Sequence, residues 1–140
     1  MTAQAFPISS PPAATILVVD DEPFLRVVLP EALNEAGYHA IEAENADVAE
    51  QMLQTHPNID VLITDINLDC RLDGHQVALK AYSLFPYLKV ILMSGDLIAG
   101  EQGASKSTVA DGFLHKPFQL EDMWNLVESL LRLNPPVSIQ

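Results

Sequence analysis

Apolar residues in this chain fall into compact bursts separated by longer stretches of mixed polarity. Five bursts stand out: ILVVD (16–20), YHAIEA (38–43), VLIT (61–64), VILMS (90–94) and GFLH (112–115). The first, third and fourth are nearly unbroken, the pattern of a strand covered on both faces. The second is more polar and suits a place nearer a sheet edge. Between the bursts, apolar residues recur at helical spacing. Leu25, Val28, Leu29, Leu33 and Ala36 share one face, with Asp21 placed to cap the segment, Glu22 and Pro23 in its first turn and Gly37 to close it. Pro30 lies inside this helix, where a proline kinks the axis or loosens a turn. Val48, Ala49, Met52 and Leu53 predict a helix over 46–55, stopped at His56-Pro57. Val77, Ala78, Ala81, Leu84 and Phe85 predict another over 74–85, and Leu120, Met123, Trp124, Val127, Leu130 and Leu131 a closing helix over 120–133. A fourth helix belongs in 97–111, but Gly100, Gly103 and a Ser/Thr-rich run make it a poor helix former, so a short or mobile one is expected.

Strands alternating with helices over about 120 residues require right-handed βαβ crossovers, hence a parallel sheet sandwiched between helices. The chain of 140 residues fits one such domain over 15–134, with a Pro- and Ser-rich leader over 1–14 and a tail over 135–140 begun by Pro135-Pro136. About half the residues are apolar, as a packed core needs. The formal charge of −12 and seven scattered basic residues exclude a nucleic-acid surface, which needs clustered Lys and Arg. No run reaches the ~20 apolar residues of a membrane span, and the N-terminus lacks the pattern of a secretory signal. One cysteine, Cys70, permits no internal disulfide. A cytoplasmic protein is expected.

In doubly wound sheets, sites form outside the carboxyl ends of the strands. Those ends carry Asp20 and Asp21 after the first strand, Asp65 then Asn67 after the third, Ser94 after the fourth and Lys116 after the fifth. Three carboxylates brought together repel, and one pKa rises unless a cation intervenes. Mg²⁺ prefers such oxygen ligands. With a lysine ammonium and a serine hydroxyl added, the set suits a phosphoryl group, whose transfer depends on positioning and charge neutralisation.

The motifs VVDDEP, TDINL, MSGD and HKPF, in this order and spacing, resemble the receiver domain of two-component response regulators across residues 15 to 134. The resemblance implies a flavodoxin-like doubly wound (βα)5 sandwich with its parallel sheet in the order 2-1-3-4-5. It implies that Asp65 accepts a phosphoryl group from a phosphohistidine of a sensor histidine kinase or a histidine phosphotransfer protein. Asp21, Asp65 and the main-chain carbonyl of Asn67 would bind Mg²⁺, for which Mn²⁺ can substitute, and Asp20 would act through a metal-bound water. Lys116 would pair with the phosphoryl oxygens, Ser94 would swing in to hydrogen-bond them, and Phe113 would follow as the aromatic half of the switch. Asn67 and Asp96 occupy positions that tune the lifetime of the phosphoryl group. A stand-alone receiver is implied, signalling to an output protein by contact or relaying phosphate, with self-repulsion only weakly opposing a homodimer.

Two stretches depart from the family pattern. The loop after Asp65 lacks the usual proline and reaches Gly74 one residue late, so Asp69, Cys70, Arg71 and Asp73 occupy a longer polar loop. Asp69 and Asp73 read there as solvated acids. The glycine-bearing segment after Ser94 replaces what is often a signalling helix. Lys116-Pro117 permits a cis peptide. A rival reading is a haloacid-dehalogenase-type phosphohydrolase, which also uses an aspartyl phosphate. It needs two acids spaced two residues apart after the first strand, where this chain has them adjacent. A flavodoxin-type electron carrier is disfavoured because DDEP would repel the FMN phosphate.

Overall fold

The computed structural model describes residues 13–68, 74–95 and 110–133. Five strands, β1 (Thr15–Val19), β2 (His39–Ala43), β3 (Ile59–Asp65), β4 (Lys89–Ser94) and β5 (Gly112–His115), form one sheet in the order β2-β1-β3-β4-β5. Every pairing is parallel. Among the described residues the helices are α1 (Pro23–Glu35), α2 (Ala46–Thr55), α3 (Gly74–Leu84) and α4 (Leu120–Leu133). The helix expected over 97–111 lies, but for its last two residues, outside the described residues.

Alternation along the strands splits the core into two layers. Ile16, Val18, Val61, Ile63, Ile91 and Met93 face α1 and α4, meeting Leu29, Leu33, Met123 and Val127. Leu17, Val19, Leu62, Val90 and Leu92 face α2 and α3, meeting Ala49, Leu53, Val77 and Ala81. The near-continuous apolar runs of β1, β3 and β4 are thus explained, because both faces of these strands are covered. β2 is the polar edge strand, as its composition predicted.

Local details follow from single residues. Gly37 adopts φ 101°, and the Tyr38 amide donates to the Leu33 carbonyl at 3.1 Å, closing α1 in a left-handed cap. α1 runs uninterrupted through the buried Pro30. Asn45 caps α2 by accepting the Val48 amide at 2.8 Å. Trp124 Nε1 donates to the Ala32 carbonyl at 3.2 Å, fastening α4 to α1. Leu84, expected on the inner face of α3, is 38 % exposed. β3 begins two residues earlier than its apolar run: Ile59 pairs with Thr15, and a register shift follows before Ile16 meets Val61.

Candidate functional site

β1 delivers Asp20, whose side chain is fully buried. Three bonds fix its place at the end of the strand. Its amide donates to the Ala43 carbonyl at 3.2 Å, its Oδ1 accepts the Glu22 amide at 2.8 Å, and Arg26 Nη1 donates to its carbonyl at 3.4 Å. The expectation that Asp21 caps α1 is corrected here. The N-cap residue is Glu22, without a side-chain cap, and Pro23 follows at a position where a missing N–H costs nothing. Asp20 makes the turn instead, which leaves the Asp21 carboxylate for other work.

β3 ends on Asp65, which is 8 % exposed. The Asn67 amide donates to Asp65 Oδ1 at 3.3 Å. The Gly74 amide donates to the Ile66 carbonyl at 2.8 Å, so α3 starts directly against the end of the strand. A Cβ on residue 74 would overlap the Asp65 carbonyl oxygen and lie 2.9 Å from Ile66 Cα. Only glycine permits that approach.

From the fifth strand, Lys116 Nζ donates to Asp20 Oδ2 at 2.9 Å and to Asp65 Oδ2 at 3.0 Å. The Lys116 amide donates to the Ser94 carbonyl at 2.7 Å, and the Lys116-Pro117 peptide is cis. Burial pushes the Asp65 carboxyl above its ordinary value; Lys116 opposes the shift, the Asp20 charge adds to it, and the Asn67 amide offsets part of it. Burial works to lower the Lys116 ammonium, but the hydrogen bonds and charges of Asp20 and Asp65 together outweigh it and hold the group above its usual range. Lys116 therefore remains a cation between two carboxylates.

One carboxylate oxygen from each of Asp20, Asp21 and Asp65 lies within 4.8 Å of the others. Three hard anionic donors gathered at that spacing fit a divalent cation of the Mg²⁺ class. The acidic pocket predicted from the strand ends is thus assembled, with Lys116 on its other side.

The remaining residues fall around this centre. Ser94 is buried at the end of β4, one residue beyond the Met93 that pairs with Asp65. Phe113 sits opposite Leu92 on β5, partly buried against the α2–α3 layer. Asp96, Asp69, Cys70, Arg71 and Asp73 lie outside the described residues. Sequence reasoning missed Arg26 and the contact role of Gly74. The first left no signal beyond a lone basic residue on an apolar helix; the second was readable only as a glycine at a helix start.

The family model described as the response regulator receiver domain matches residues 16–128. The chain belongs to this family. Its relatives include the response regulator receiver protein CpdR of Brucella abortus, 33% identical over 116 residues, covering 83% of this chain and 95% of that protein. The sensor kinase CckA of the same organism is 29% identical over 123 residues, which are 85% of this chain but only 13% of CckA. A response regulator receiver protein from Sinorhizobium medicae superposes with a TM-score of 0.78 at 33% identity, over 86% of this chain and 95% of that one. The response regulator TrrA of Thermotoga maritima, solved in complex with Mg(2+)-BeF, gives 0.74 at 32% identity over 84% and 99%. A receiver domain is a phosphorylation-dependent signalling switch of a two-component system, not a classical enzyme, and no comparison favours the phosphohydrolase reading. No described helix of this receiver domain is long and apolar enough to cross a membrane.

Proposed function

We propose that Asp65 is the phosphoacceptor of this receiver, taking its phosphoryl group from a phosphohistidine of a sensor kinase or phosphotransfer protein. The observation that carries the reading is the Lys116 ammonium, held at 2.9 and 3.0 Å between Asp20 and Asp65 at the carboxyl edge of the sheet. In the transfer, an Asp65 carboxylate oxygen bonds to phosphorus as the phosphorus–nitrogen bond to the donor histidine breaks. The pair of electrons from that bond returns to the imidazole, and the product is an acyl phosphate. The chain catalyses its own modification by positioning and charge rather than by general-base chemistry, since the nucleophile is already an anion. Lys116 stays cationic and offsets the charge gathered on the phosphoryl oxygens. Asp21, Asp65 and the Asn67 carbonyl would hold Mg²⁺ or Mn²⁺, with Asp20 reaching it through water, and the ion would neutralise phosphoryl charge. The Mg²⁺ of the TrrA complex supports that assignment.

Ser94 and Phe113 form the switch in this reading. Ser94 lies on the strand beside Asp65 and shares its carbonyl with the Lys116 amide, so a phosphoryl group that draws in its hydroxyl also pulls on β5. Asn67, and Asp96 beyond the described residues, set how long the phosphoryl group survives. The donor has a surface to meet. An apolar groove of ≈ 530 Å³ runs beside Lys116, lined by Phe24, Leu25, Val28, Pro117, Phe118 and Leu120 among others. Phe24 and Val27 on α1 stand 67% and 58% exposed. A helical partner carrying the histidine would cover both and bring it to Asp65. Such a phosphorelay operates in the cytoplasm.

The deciding experiment measures intact mass after incubation with acetyl phosphate and Mg²⁺. The wild-type chain should gain one labile phosphoryl group and Asp65→Asn none. Equal gain in both would remove Asp65 from the role.

A further inference from the structure

The strand that carries Phe113 and leads into Lys116 is the shortest in the sheet. β5 has four residues, lies at an edge and, among the described residues, pairs only with β4. A slip of one residue along such a strand would send every side chain on it to the opposite face. Something must fix its register, and Asp111, the residue just before it, is well placed to do so. Its amide donates to the Val90 carbonyl at 2.7 Å, and its Oδ2 accepts the Val90 amide at 2.8 Å. The same Oδ2 accepts the Tyr82 hydroxyl at 2.6 Å. Tyr82 belongs to α3, on the layer below the sheet, and its bond joins that layer to the residue just before β5.

We propose that Tyr82 is a positioning residue for the phosphoryl-transfer site: through Asp111 it fixes the register of β5 and so the placement of Lys116 between Asp20 and Asp65. The inference rests on the roles proposed above for Asp65 and Lys116. Its geometry gives α3 two attachments. At one end Gly74 packs on the backbone of Asp65, and about 12 Å along the helix axis Tyr82 grips Asp111, just before the strand that leads into Lys116. The helix is a strut between the acceptor and its lysine. The Tyr82 hydroxyl is suited to a permanent donor role, because burial and the Asp111 carboxylate both drive its pKa upward. The two residues flanking β5 are then held by different means: Asp111 by α3 and Val90, Lys116 by its amide on Ser94.

The test uses the full chain as wild type, Tyr82→Phe and Asp111→Asn. Amide hydrogen exchange is read at Asp111 and Lys116, the two residues flanking β5, and at Ile66, whose amide donates to Met93 and serves as the internal control. The rate of phosphoryl gain from acetyl phosphate at fixed Mg²⁺ is read alongside. Loss of one hydrogen bond should speed exchange at Asp111 and Lys116 by roughly threefold to tenfold in Tyr82→Phe, with Ile66 unchanged. Phosphoryl gain should slow by a similar factor. Asp111→Asn keeps an acceptor for both donors but loses its charge, so both measurements should shift in the same direction as in Tyr82→Phe. Unchanged exchange at β5 in Tyr82→Phe would overturn the proposal, as would an equal rise at Ile66, which reports general loosening. Faster exchange at β5 with an unaltered phosphorylation rate would also overturn it, since the strand would then be anchored without positioning the lysine. If the wild type takes up no phosphoryl group, the Asp65 reading fails by itself, and this proposal falls with it.

Discussion

Replacing Lys116 by Met keeps most of the side-chain volume and deletes one charge. The consequence can be worked from the geometry. Asp20 is fully buried, Asp65 nearly so, and the ammonium is the charge-assisted donor to both. Such bonds contribute roughly 1.5–3 kcal/mol each, and stripping one partner from a buried ion pair costs about 3–5 kcal/mol. Lys116 is 20% exposed, so water recovers part of the loss and the lower end applies. A cost of about 3 kcal/mol lowers the melting temperature of a domain this size by about 10 °C. Thermal melts with a chelator at neutral pH provide the assay. Two rescues identify the cause. Added Mg²⁺ should stabilise the variant more than the wild type, because in the variant no ammonium competes for the same carboxylates; binding at a hundredfold excess over Kd is worth about 2.7 kcal/mol. Acidification should also narrow the gap. The Asp65 pKa is raised in the folded state, so its folded form takes up a proton before the unfolded chain does. Stability from that group is full below its ordinary value of 3.8 and lost as pH rises through the folded pKa. Removing Lys116 removes what opposed the rise, so the variant should regain more on going from about pH 8 to about pH 5. A variant that melts with the wild type, or whose deficit ignores both Mg²⁺ and acid, would refute the reasoning.

Other expectations test neighbouring parts of the site. Gly74→Ala drives a methyl group into the Asp65 backbone, so urea melts should show a loss of about 2 kcal/mol or more, with phosphoryl gain reduced alongside. At alkaline pH the sign is the same as for Asp65, since both groups are raised: the Lys116 contribution is full below its ordinary 10.5 and lost as pH rises through the higher folded value, so melts above about pH 10 should fall in the wild type with a limb that Lys116→Met lacks. Phe24→Asp with Val27→Asp changes an exposed apolar pair on α1, so transfer from a phosphorylated histidine protein should slow by about tenfold or more while gain from acetyl phosphate stays unchanged. Transfer from the histidine protein that stays unchanged, or that slows no more than gain from acetyl phosphate, would refute this face of α1 as the donor surface.

Much of this structure is legible along the chain because its signals are local. The unbroken apolar runs marked β1, β3 and β4, the more polar HAIEA marked the edge, and Gly37 marked the end of α1, each through a property of adjacent residues. The candidate site was legible for the same reason: the fold delivers the residue after each strand to one edge, so Asp20, Asp65, Ser94 and Lys116 could be grouped before any distance was known. What failed depends on bonds between distant residues. Asp21 has the right type and place for a cap, yet Asp20 takes the Glu22 amide, because its backbone is already held by Ala43 and Arg26. β3 extends back to Ile59 although Asp60 interrupts its apolar pattern. The register shift there brings the Asp60 carboxylate to the Thr15 amide at 2.9 Å, so a strand-breaking residue becomes a cross-strand tie. Tyr82 and Asp111 stand 29 positions apart, and neither was singled out along the chain. Their pairing changes the significance of both. The sheet's carboxyl edge is written in single residues, whereas the devices that hold its strands in register are written in pairs, and a pair with no characteristic spacing leaves nothing for a linear pattern to detect.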